Sequence, residues 1–126
     1  MNKEYGSWSE QLSDDGVVVS HICRYIQSHL DEKLAYEYLQ KRFFVSRHFL
    51  AVTFPRYVGK TVTAYIIERR LEFASALIQQ GVGLEEAAGQ AGFETSRHFF
   101  RQFKNHYGST PGTLFKKEPE ICVENP

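Results

Sequence analysis

SRHFLAVTFPRYVGKT, residues 46–61, and TSRHFFRQFKNHYGST, residues 95–110, are two versions of one pattern. Set at a constant offset of 49 residues, they pair Ser46 with Thr95, Leu50 with Phe99, Phe54 with Phe103, Gly59 with Gly108 and Thr61 with Thr110. Ser46 is placed to cap the free amides of a first helical turn. Two large apolar residues four positions apart share one helix face, and a glycine closes the helix. Thr61 and Thr110 are then placed to open the next one. A shorter helical segment precedes each copy, about Ala35 to Arg42 and Leu84 to Ala91. Short helix, turn and longer helix is the order of a helix-turn-helix unit.

Outward from the repeat, the apolar pattern is helical throughout. Val18, Ile22, Ile26 and Leu30 recur at four-residue spacing, which predicts a first helix from about Val17 to Leu30. Val62 to Gln80 reads as the longest helix, with Val62, Ile66, Ala74, Leu77 and Ile78 inward and Gly81 closing it. Ser96 to His106 is a further helix, and Thr110 with Pro111 opens a last short one through Phe115. Pro55 removes an amide donor and crowds the preceding turn, which predicts a kink or an early end in the helix that begins near Ser46. No stretch alternates cleanly enough to be a strand. The expected fold is therefore all-α, with about seven helices. Its parts are a flexible N-terminal tail (1–16), a first helix-turn-helix subdomain (17–60), a linker helix (61–80), a second helix-turn-helix subdomain (81–117) and an acidic C-terminal tail (118–126).

The formal net charge of +0 hides an uneven distribution. From Gln40 to Lys117 there are twelve lysines and arginines against five glutamates, so the flanks are acidic and the body is basic. A basic body is the electrostatic footprint of a phosphate-binding surface.

Several classes drop out. No apolar run approaches the ~20 residues of a membrane-spanning helix, and the N-terminus lacks the apolar middle of a signal peptide, which makes the cytoplasm the default. Cys23 and Cys122 stand far apart with no histidine at metal-ligand spacing, so neither a disulfide framework nor a metal site is indicated, and Cys23 reads as a small apolar residue. His21, His29, His48, His98 and His106 are scattered without a nucleophile elbow, a phosphate loop or paired carboxylates. The reading is a protein that is no enzyme and carries no cofactor.

RRLEFASALI (Arg69 to Ile78), AGFETSRHFFRQFK (Ala91 to Lys104) and YGSTPGTLFKK (Tyr107 to Lys117) together resemble the DNA-binding domain of AraC/XylS-type transcription regulators. The resemblance runs from about Ile22 to Lys117 and is similar in extent to the short, stand-alone members. It implies two recognition helices in successive major grooves of double-stranded DNA, and usually activation through contact with RNA polymerase. By match to the family pattern, the base-reading positions of the second unit fall on Ser96, Arg97, Phe100 and Arg101, with Lys104 beside them. Arg97 or Arg101 can pair with guanine through the guanidinium fork, Phe100 can touch a thymine methyl, and Arg101 or Lys104 can meet phosphate.

The first unit departs from the pattern. His48, Ala51 and Val52 occupy its matching positions, Phe44 replaces the usual turn glycine, and Pro55 stands where the family commonly has lysine. The second unit is therefore expected to dominate, with Arg47 and Arg56 of the first on the DNA backbone. The competing reading is a helix-turn-helix scaffold turned protein-binding co-regulator or anti-activator. No dimerisation element is visible, so a monomer is expected.

Overall fold

The computed structural model describes residues 2–115, with side chains from residue 14 onward. It is all-helical: α1 (Asn2–Ser28), α2 (Tyr36–Phe43), a π-helical stretch (Phe49–Thr53) running into α3 (Phe54–Val58), α4 (Val62–Gln79), α5 (Leu84–Gln90), α6 (Ser96–Tyr107) and α7 (Pro111–Leu114). There is no strand among the described residues. The chain divides into two compact units between Ile66 and Ile67, inside α4.

In the first unit, Val19, Ile22 and Ile26 of α1 meet Leu39 of α2, Leu50 of the π stretch, Phe54 of α3, and Val62, Tyr65 and Ile66 of α4. Spacings of three and four residues keep these side chains on one face of each helix. Phe54 meets the Tyr65 ring edge-on at 5.9 Å, and Gln27 Nε2 donates to the Tyr65 hydroxyl at 2.6 Å, so the one polar tip in this core has a partner.

The second unit is built from Leu71 and Ala74 of α4, Ala87 and Ala88 of α5, Ala91, Phe93, and Phe99 and Phe103 of α6. Four alanines packed with three phenylalanines is a small-against-large arrangement that lets bulky rings share a close-packed core. Leu77 and Ile78 are half-buried against this core.

Every residue pair of the repeat has one structural role. Ser46 Oγ accepts from the Phe49 amide at 2.9 Å, and Thr95 Oγ1 accepts from the His98 amide at 3.0 Å. Leu50, Phe54, Phe99 and Phe103 are all fully buried, and Gly59 and Gly108 are both left-handed, at φ 89° and 82°. Thr61 and Thr110 cap α4 and α7 through the Ala64 and Thr113 amides. The equivalence extends one residue further, since Val62 and Pro111 at the starts of those helices are both buried.

Three expectations are corrected. α1 is helical from Asn2, well before the expected start at Val17, and at 27 residues it exceeds the 18 of α4, which is therefore not the longest helix. The run Asp14-Asp15-Gly16 reads as a stop, yet Gly16 lies buried inside α1, because a glycine costs a helix interior only about 1 kcal/mol. Third, Pro55 does not end its helix, which runs on to Val58. The Phe54 amide reaches back five residues to the Phe49 carbonyl, and this wider turn gives the proline ring room where an α-helical turn would crowd it. The acidic tail expected at 118–126 lies outside the described residues.

Both short helices end alike. Val45 N–H bonds the Gln40 carbonyl at 3.1 Å and Phe93 N–H bonds that of Ala88 at 3.0 Å, each across a left-handed residue. In the second unit that residue is Gly92 at φ 98°, and in the first it is Phe44 at φ 55°, 93% exposed. A non-glycine residue there is strained by ~1 kcal/mol, and an exposed ring recovers nothing by burial. Phe44→Gly is therefore expected to stabilise the protein by about 0.5–1 kcal/mol, read as a higher denaturant midpoint at unchanged slope. A lower midpoint would contradict the strain argument.

Candidate nucleic-acid interface

Phe93 is buried just after the Gly92 turn, and Thr95 in extended conformation caps the first turn of α6. Phe99 and Phe103 then fix the rotation of α6 about its axis. With ~3.6 residues per turn, residues two positions from these anchors must face outward. Arg97 and Arg101 do so, and Lys104, one position past Phe103, lies beside them: all three are exposed, at helical spacings of four and three, and none forms an ion pair among the described residues.

Arg69 shows the contrary case. It is held by Glu72 at 2.7 Å and Glu68 at 3.3 Å, so its charge is already answered. Glu68 also stands 3.8 Å from His106 near the end of α6. The uncompensated positive charge of this helix is thus confined to the Arg97–Arg101–Lys104 stripe.

Ser96 and Phe100 lie at the border. Both are half-buried, and the Phe100 ring leans on Phe99 at 5.5 Å while packing against the second core. His98 is half-buried too, its ring edge-on to Phe93 at 5.6 Å, so it belongs to the packing of the turn and is not the surface histidine its neighbours suggest.

On the corresponding helix of the first unit, Arg47, His48, Ala51, Val52 and Arg56 are exposed. The Arg47 guanidinium stands 4.8 Å above the ring of Tyr36, the first residue of α2. Ala51 and Val52 sit in the π-helical stretch and offer only methyl groups. Of the seven site residues read from the sequence, five are brought onto α6 and two, Arg47 and His48, onto the other copy. Tyr36 as the platform for Arg47 went unread, since cation–π pairing leaves no spacing signature. Thr95 as the cap of α6 is signalled by its pairing with Ser46.

A sequence profile of a helix-turn-helix domain matches residues 39–117. The chain belongs to the AraC/XylS-type family of helix-turn-helix transcription regulators, and what the family's members share is a DNA-binding domain of this fold. Similar proteins include the HTH-type transcriptional regulator YidL of Escherichia coli K12, 38% identical over 72 residues, covering 56% of this chain and 24% of that protein. The F1 operon positive regulatory protein of Yersinia pestis is 30% identical over 97 residues, covering 75% of this chain and 32% of its own length. The chain thus spans about a quarter to a third of these relatives. Among solved structures, the DNA-binding domain of the global transcriptional factor AdpA in complex with a target DNA superposes with a TM-score of 0.74 at 21% identity, covering 86% of this chain and 97% of that one.

The division of labour on α6 gives a stability test. Phe103→Ala should cost about 3–5 kcal/mol and Thr95→Ala about 1 kcal/mol. Arg97→Ala, Arg101→Ala and Lys104→Ala should each stay within about 0.5 kcal/mol of the parent. Thermal or denaturant unfolding of the five variants checks the ordering.

Proposed function

We propose that the protein binds double-stranded DNA sequence-specifically through two recognition helices, the one over residues 47–58 and α6, with α6 dominant, and activates transcription as a monomer in the cytoplasm through contact with RNA polymerase. The observation that carries this reading is the stripe of three unpaired cations on α6, set on a helix whose rotation is fixed by two buried phenylalanines. In a major groove, Arg97 and Arg101 are the base-reading candidates, Ser96 and Phe100 flank them, and Lys104 serves the backbone. Arg47, His48 and Arg56 supply contacts that position more than they specify. Support for activation comes from the Yersinia pestis relative, whose name describes a positive regulator.

One observation favours a second reading. Phe44, Val52 and Tyr57 are exposed apolar side chains of the first unit, where DNA binding offers methyl contacts at most. A first unit turned toward a protein partner, leaving a co-regulator or anti-activator with weakened DNA binding, would use them.

Selection from a random pool of duplexes, with a salt titration, decides between the two. Enrichment of a motif with affinity falling steeply as salt rises is the expected result, and retention without enrichment favours the partner-binding reading. On the selected site, Arg97→Ala should cost about 1–3 kcal/mol and relax one position. His48→Ala should weaken binding evenly across single-base variants. Equal losses of discrimination in the two would overturn the dominance of α6.

A further inference from the structure

In the first unit, an open cleft of about 340 Å³ lies between the second half of α1 and the end of α2. This is within the size range of small-ligand sites, ~300–1,000 Å³. Its chemistry is one-sided. Two guanidinium groups, Arg24 and Arg42, and two imidazoles, His21 and His29, line it with the Tyr25 and Phe43 rings, and no carboxylate does. Neither arginine forms an ion pair among the described residues.

The floor of the cleft is already organised. Arg42 stands 4.8 Å above the Tyr25 ring and 5.7 Å above that of Phe43, and His29 stacks on Tyr25 at 3.9 Å with the planes 12° apart. The Tyr25 hydroxyl is in turn fixed by Tyr38 at 2.6 Å and by Glu32 at 3.0 Å. His29 Nδ1 bonds the Tyr25 carbonyl at 2.8 Å, which settles the orientation of its ring. The bond to Tyr38, desolvation and the bond to Glu32 push the Tyr25 phenol up to about 12 against a lowering by Arg42, so that ring stays uncharged and adds no repulsion toward an anion. A guanidinium carries its N–H groups in one plane, the fork geometry that grips an oxyanion.

We propose that this cleft is an oxyanion site that takes the phosphoryl group of a phosphate monoester carrying a flat ring. Two arginines answer the charge of a phosphate dianion, and the Tyr25 and Phe43 rings border the remaining volume. A phosphate of bound DNA offers the same chemistry, so the test separates the two sources.

Phenyl phosphate and inorganic phosphate are titrated into the full chain at constant ionic strength, with the Nε–H signals of Arg24 and Arg42 followed by NMR. Saturable shifts of both arginines are expected, with phenyl phosphate binding more tightly than inorganic phosphate. Arg24→Gln and His21→Gln alter exposed positions and are expected to leave the fold intact, which circular dichroism checks. The first should weaken binding at least tenfold. Arg42→Lys, which keeps the charge and removes the fork, should weaken it several-fold. In parallel, the salt dependence of DNA binding is measured for Arg24→Gln. Saturable binding with an unchanged DNA salt slope assigns a free phosphate ligand. A slope reduced by about one, without saturable binding of either probe, assigns a DNA phosphate. Shifts that never saturate, or that survive all three substitutions, together with an unchanged slope, overturn the site.

Discussion

Two buried side chains four residues apart set the geometry of each third helix. Leu50 and Phe54 in one copy, and Phe99 and Phe103 in the other, have no accessible surface, and a helix pinned at two successive turns cannot roll. Everything else on it then has an assigned direction. On α6 the consequence is electrostatic, because the residues directed outward are Arg97, Arg101 and Lys104. On the first-unit helix the same constraint exposes Ala51 and Val52. The same mechanical solution thus carries two different surfaces.

The caps and turns exist to deliver that pair to its core. Thr95 and Ser46 satisfy amides that would otherwise compete for water, and the left-handed residues Gly92 and Phe44 send the chain back over its own short helix. α4 serves both copies, giving Val62, Tyr65 and Ile66 to one core and Leu71 and Ala74 to the other. A substitution at either end of α4 therefore acts on a different core.

What could be read in the sequence was what is local. Hydroxyl caps, closing glycines and four-residue apolar spacing are decided within a turn or two, so α2 and α4 to α7 and the outward stripe of α6 were legible before any coordinates. Features that depend on a partner elsewhere were not. The π-helical stretch answers Pro55 with an amide bond from Phe54 to Phe49, and the sequence marks the disturbance without its remedy. Phe100 sits at the edge of the buried face, where spacing alone does not decide between groove and core. The Tyr25, His29, Tyr38 and Arg42 cluster joins two helices through stacking and one short hydroxyl pair, which follows no period. The helical backbone before Gly16 escaped because its polar composition suits a tail and a solvated helix equally.

The π-helical stretch also separates the two copies more than their aligned letters suggest. Its extra residue in the turn moves the side chains after Thr53 around the helix relative to those before it, whereas α6 keeps one regular winding throughout. Exposed residues between the anchors thus need not point alike, although Leu50 and Phe54 are as buried as Phe99 and Phe103. Because each core asks only for its own anchors, the exposed letters of one copy can change without cost to the other.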